Sequence, residues 1–211
     1  MIDLHVHLDG SIRQSTLEDL FEGDLPDVKF YPNMGIQKAL ASFRTTLSVM
    51  QELDRITRIT TELCTDLSEL GTKRAEIRFA PQLHCKGDIN SVVDAAVAGL
   101  KPRFNLILCG LYGEPPEVLD NLVKAARKRP RVVGIDLAGS PLEEHKWGLM
   151  DYSRPFTEAM RVGIGRTVHA GEGRASEEIK MAIEHLHAQR IGHGLSVLGD
   201  QYLVDLVRKK G

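Results

Sequence analysis

What this chain lacks narrows its class before any motif is considered. Cysteine is scarce: Cys64, Cys85 and Cys109 stand far apart, with no C-x-x-C spacing among them. That excludes a disulfide-framed secreted domain and a thiolate zinc site, and makes the three reduced core or loop residues. No apolar run approaches the ~20 residues of a membrane span, and no charged-then-apolar leader precedes the first strand. Charge of one sign is missing too: 27 Lys and Arg against 29 Asp and Glu leave a net charge of -2. Such a balance excludes general affinity for nucleic acid or anionic membrane. Internal repeats and low-complexity segments are absent. The expectation is a cytoplasmic globular protein, with residues 1–211 as one domain able to bury a real core.

What is present starts with an apolar run carrying His5, His7 and Asp9 on alternate positions. Residues two apart in a strand share a face, so both imidazoles can reach one ion and the carboxylate continues on their side. Residues 12–71 show no convincing strand and at least two helical stretches, the later being the clearer. Leu47, Met50, Leu53, Ile56, Thr60, Leu63, Leu67 and Leu70 recur at helical steps, with Gly71 placed to close the helix. Asp24 to Gly35, with Pro26, Pro32 and Asn33, reads as loop.

From Lys73 the pattern becomes regular. Strands are predicted at Arg74–Ala80, Phe104–Cys109, Arg131–Ala138, Gly165–His169 and Arg190–His193. Amphipathic helices fall between them: Ile89 to Lys101, one opened by Pro115 and Pro116, one opened by Pro155, and one from about Ser176. Asp200 to Lys210 forms a last helix. Alternation at this spacing implies parallel strands with right-handed crossovers, hence an α/β sheet or barrel. Six units are visible, whereas a complete eightfold barrel takes ~250 residues.

Chemistry-bearing residues gather at the carboxyl ends of these strands, where parallel α/β folds place their sites. The fifth strand ends in Thr167-Val168-His169-Ala170-Gly171-Glu172 and the sixth in Arg190-Ile191-Gly192-His193-Gly194. The first, fifth and sixth strands therefore all end in histidine. His5, His7 and His169 make a donor set suited to zinc with an open position for water. His193 is then the residue to orient or deprotonate that water, and Glu172 the one to carry a proton to a substrate nitrogen. Together they describe metal-assisted hydrolysis.

In order, HVHLDGS, VVGIDLAG, TVHAGE and RIGHG resemble the motifs of the adenosine deaminase family, zinc-dependent hydrolases on a (β/α)8 TIM-barrel fold. The resemblance runs from Asp3 to Leu195. It implies His5, His7 and His169 as zinc ligands, Glu172 as the acid that protonates purine N1, and His193 as the residue that positions the attacking water. It also implies that His7 and Asp9 line the ribose side and that the Gly139 backbone meets the purine ring. LDG in the first motif favours a nucleoside, so the implied reaction is hydrolysis of adenosine or deoxyadenosine to inosine or deoxyinosine and ammonia. Adenine, AMP or another 6-aminopurine is the alternative substrate, and an inactive remnant binding metal or nucleoside is the alternative outside catalysis. For AMP, clustered cations would be needed, and Arg13, Lys29 and Arg44 are scattered. The family's eighth-strand aspartate, in a motif like SLNTDDP, has no counterpart, and a seventh-strand segment is missing as well. About six of eight units are thus expected, with self-association through the open sheet edges.

Overall fold

The computed structural model describes residues 1–28, 31 and 34–210, so Lys29, Pro32 and Asn33 of the expected loop lie outside the described residues. The chain resolves into two compact units, Met1–Leu108 and Cys109–Gly211. In the first unit β1 (Ile2–His7) is followed by α1 (Gln14–Leu20), α2 (Ile36–Val49) and α3 (Leu53–Glu69). Then come β2 (Arg74–Phe79), α4 (Ile89–Gly99) and β3 (Phe104–Leu111), whose last residues cross into the second unit. The second unit continues with α5 (Pro116–Arg127), β4 (Val132–Ala138), α6 (Ser153–Arg161), β5 (Gly165–Ala170), α7 (Glu177–Glu184), β6 (Arg190–His193) and α8 (Gln201–Lys210). Strands are sequential and parallel, β1-β2-β3 in the first unit and β4-β5-β6 in the second. The alternation read from the sequence is thus realised, with strand ends within a residue or two of expectation.

Each unit buries its own apolar layer. In the first, Ile77 and Phe79 of β2, Leu106 and Leu108 of β3, Ile56, Ile59 and Leu63 of α3 and Val92, Val93 and Ala96 of α4 supply it, all buried. β3, FNLILCGL, reads as a nearly unbroken apolar run because a parallel strand covered on both faces has no solvent side to alternate with, whereas β2, RAEIRF, alternates charged and apolar residues. In the second unit Leu119, Leu122 and Val123 of α5, Ile135 and Leu137 of β4, Phe156 of α6, Val168 of β5 and Ile179 of α7 do the same. Pro116 occupies the first turn of α5, where its missing N–H costs no bond.

Two expectations are corrected. The single helix expected over Leu47–Leu70 is two, because α2 ends at Val49 and α3 starts at Leu53. Leu53 and Leu70, counted with the apolar stripe, are exposed, Leu70 by 73%. Side chains far along the chain hold the break: Gln51 Nε2 donates to the carbonyls of Leu47 (2.9 Å) and Leu83 (3.1 Å), and His84 Nδ1 sits 3.0 Å from the Met50 carbonyl. Pro155 is the third residue of α6, not its opener, because a 3-10 turn at Leu149–Tyr152 leads into the helix at Ser153. The three cysteines form no disulfide, and Cys64 and Cys109 are buried, as expected. Among the described residues, no helix is long and apolar enough to cross a membrane.

Candidate metal and proton-transfer site

In the first unit the donors stand on β1. The pairing of β1 with β2 shifts register between Asp3 and Val6, an irregularity of the kind that re-aims a side chain, here around His5. Buried Arg78 of β2 supports it, donating to the Leu4 carbonyl at 2.7 Å. His5 and His7 emerge with their Nε2 atoms 3.3 Å apart. Two imidazoles on one tetrahedral zinc at Zn–N of ~2.0–2.1 Å stand about 3.3–3.4 Å apart, so the pair fits a shared cation. Asp9, just past the strand, is buried, and its Oδ1 has no hydrogen-bond partner. Burial pushes its carboxyl up to about 7, against the pull of the backbone N–H groups of Asp9 and Gly10.

In the second unit β5 delivers His169 and β6 delivers His193. Their rings are 5.2 Å apart between centroids, with ring nitrogens within 4.8 Å. An Asp136 carboxylate oxygen on β4 lies 3.0 Å from His169 Nδ1. A carboxylate at that distance favours the Nδ1–H tautomer, which leaves the Nε2 lone pair open to a ligand, an arrangement common among metal-binding histidines. Asp136 is fully buried and also accepts from the Cys109 thiol at 3.7 Å. Sequence reasoning missed Asp136 as a functional residue. The signal was present: a lone charge in the apolar strand VVGIDLA.

Glu172 follows three residues after His169, with an Oε2 atom 3.4 Å from His193 Nε2. His193 itself holds φ +67°, a left-handed conformation unusual outside glycine. Such strain persists where surrounding structure over-determines it, often at functional sites. Gly139, at the end of β4, has φ +81°, which accounts for a glycine there. The second unit thus brings together His169, His193 and Glu172, and the first brings together His5 and His7. Of the scattered cations weighed for phosphate, Arg13 is engaged by Asp66 through both carboxylate oxygens, at 2.6 and 3.0 Å, and Lys29 lies outside the described residues.

Comparison with known proteins bears on what these two donor groups serve. The adenosine deaminase of Clostridium acetobutylicum is 35% identical over 98% of this chain and 68% of its own length. An Arabidopsis ADAL structure complexed with IMP superposes with a TM-score of 0.85 at 24% identity, over 99% of this chain and 68% of that one. A Burkholderia ambifaria amidohydrolase with bound Zn superposes with a TM-score of 0.80 at 18% identity, over 100% of this chain and 63% of that one. The chain therefore spans about two thirds of the length of the proteins it matches, and the fold is the (β/α)8 barrel type with six units present. The sequence model of the family described as Adenosine deaminase matches residues 1–211, and the chain belongs to that family of hydrolases.

Proposed function

We propose that this chain, working as a single barrel domain of residues 1–211 in the cytoplasm, is a zinc-dependent deaminase of adenosine and deoxyadenosine. Water adds at purine C6, ammonia leaves, and the inosine product results. The observation that carries the reading is the Asp136–His169 pair, 3.0 Å apart, with His193 and Glu172 beside it. His5, His7 and His169 are the residues to hold the ion. Zinc bound there supplies Lewis-acid chemistry, lowering the pKa of a bound water to about 7. His193 orients the attacking water and takes up its proton. Glu172 delivers a proton to N1 as C6 is attacked, which gives the purine ring an electron sink. His7 and Asp9 face the ribose, where the unsatisfied Asp9 oxygen has a hydroxyl to accept from. The Gly139 backbone contacts the base.

Self-association belongs to the same proposal. Ile2 and Leu4 on β1 are exposed, Ile2 by 60%, and so are Leu195, Leu198 and Tyr202 beyond β6. An open groove of about 670 Å³ runs beside β6, with Ile179, Ile183, Ile191, Val197 and Val207 in its walls. Edge strands with apolar surroundings invite further strands.

The test is direct. The purified chain, loaded with zinc, should convert adenosine to inosine with release of one ammonia, and its mass in solution should rise with concentration. Zinc bound without turnover of adenosine, deoxyadenosine, adenine or AMP would favour the inactive remnant. Turnover of AMP or adenine alone would move the substrate assignment.

A further inference from the structure

Resting on the function just proposed, we infer that Arg174 is a positioning residue. Its guanidinium clasps the turn that carries Glu172 and ties that turn to the Gly139 backbone. The whole arrangement lies in the second unit.

Glu172 sits in a short turn between β5 and α7 whose backbone is intrinsically loose. It is flanked by Gly171 and Gly173, at φ +69° and +63°. Glycine in this region has the widest conformational freedom of any residue, so the sequence does not by itself hold a carboxylate still. Arg174 closes the turn. Its Nη2 donates to the His169 carbonyl at 3.1 Å, joining the two ends of the segment that contains Glu172. Its Nε donates to Glu178 Oε2 at 2.6 Å, anchoring the group to the first turn of α7. The Gly171 N–H points to the same carboxylate oxygen at 3.5 Å.

The remaining donor reaches sideways. Arg174 Nη1 lies 3.4 Å from the Gly139 carbonyl and 3.3 Å from Ser140 Oγ, at the end of β4. The guanidinium stacks over the Tyr112 ring at 5.2 Å, and the Tyr112 hydroxyl donates at 3.0 Å to the same His169 carbonyl. Arg174 and Glu178 are both largely buried, so solvent competes little for these bonds. One planar cation thus spans three strand ends in a way the single ammonium of lysine cannot reproduce. It spaces the proton donor on Glu172 from the backbone assigned to the purine.

The consequence is kinetic. Displacement of about 1 Å at a reacting group costs on the order of 10²-fold in rate, and an acid acts only as charge develops. Arg174→Gln should therefore lower kcat and kcat/KM together by ~10- to 100-fold, with zinc content unchanged. Arg174→Lys should recover only part of the loss. In a Glu172→Gln background, Arg174→Gln should cost almost nothing further, since the group it positions is already gone. A readout independent of turnover is amide hydrogen exchange in the full chain. The amides of 171–173 should exchange faster in Arg174→Gln while those of α5 keep wild-type protection. Wild-type kcat with wild-type exchange in the variant overturns the inference, as does an equal fold-loss in the Glu172→Gln background, which would mean general damage. If the wild-type chain deaminates no 6-aminopurine, the proposed function fails, and the exchange experiment alone decides whether Arg174 holds the turn.

Discussion

Replacing Asp136 by asparagine keeps the size and an acceptor oxygen but removes the charge facing His169 Nδ1 at 3.0 Å. Hydrogen bonds to charged groups contribute about 1.5–3 kcal/mol and neutral ones about 0.5–1.5, so the exchange forfeits roughly 1–2 kcal/mol of support for a metal-bound imidazole. At about 1.4 kcal/mol per decade this is a ~5- to 30-fold weakening of zinc binding, overlapping the lower part of the ~10- to 100-fold general for such partners of ligating histidines. The metal-free protein should respond differently. Asp136 is fully buried, and a neutral amide there escapes the desolvation cost of a carboxylate, so stability without metal should hold or rise. Chelator competition measures the first quantity and urea unfolding of the metal-free chain the second. Asp136→Asn with wild-type zinc affinity would refute the tautomer-locking argument. A loss of more than about 3 kcal/mol without metal would assign Asp136 to the core instead, because that is the scale for breaking a buried ion pair.

Further outcomes follow from the same geometry. Glu172→Gln should lower turnover by at least the ~10²–10⁴-fold of general acid catalysis while zinc stays bound; near-normal loss of the adenosine absorbance band would contradict its role. His84 is buried, and burial pushes its imidazole down from 6.5 to about 4, against the Met50 carbonyl that favours the charged form. Below pH 6.5 the unfolded chain takes up a proton that the folded chain refuses, so this stability is whole above 6.5 and lost as pH falls toward 4. At about 1.4 kcal/mol per pH unit the loss reaches about 2 kcal/mol at pH 5, and urea midpoints at pH 7.5 and 5 should diverge less in His84→Gln than in wild type. Gly99→Ala would put a Cβ 2.5 Å from the Thr57 carbonyl oxygen and 2.7 Å from Thr60 Cβ, where α4 meets α3. Overpacking of this kind costs ~1–3 kcal/mol, so Tm should fall by several degrees; an unchanged Tm would mean the two helices separate freely.

The β/α order was legible because most strands announce themselves as apolar runs between turn residues, and His7, His169 and His193 stand at or next to strand ends. The break between α2 and α3 was not legible. Met50, Gln51 and Glu52 contain no glycine or proline, and the apolar steps of the two helices are in phase across them. What bends the chain there is the pairing of Gln51 and His84 with backbone groups more than thirty residues away, a tertiary cause that local pattern does not carry. The proximity of His5 and His7 on β1 was readable from alternation, but the register shift around His5 and its support by Arg78 were not, since pairing partners decide both. Arg174 escaped notice for a similar reason: its bonds reach the ends of β4 and β5 and the first turn of α7, and its stacking reaches Tyr112 beyond β3, groups that sequence distance keeps apart.

Buried polar side chains offer a way to separate function from packing here. A chain selected for stability alone would fill the interior positions of Arg78, His84 and Asp136 with apolar residues, because each polar group loses hydration that its internal bonds only partly replace. Arg78 serves the strand that bears His5 and His7, and Asp136 serves His169, so two of the three violations lead directly to proposed ligands. His84 leads elsewhere, to the carbonyl freed where α2 stops, and marks a structural obligation. The distinction lies in what the partner does. A buried polar residue whose partner is itself an imidazole or the backbone of a ligand strand contributes to the site, whereas one whose partner is an orphaned helix carbonyl satisfies the fold. By that criterion Asp136 belongs with the chemistry although no motif reading of single residues selects it, and His84 does not, although histidine is the residue type the proposed reaction uses most.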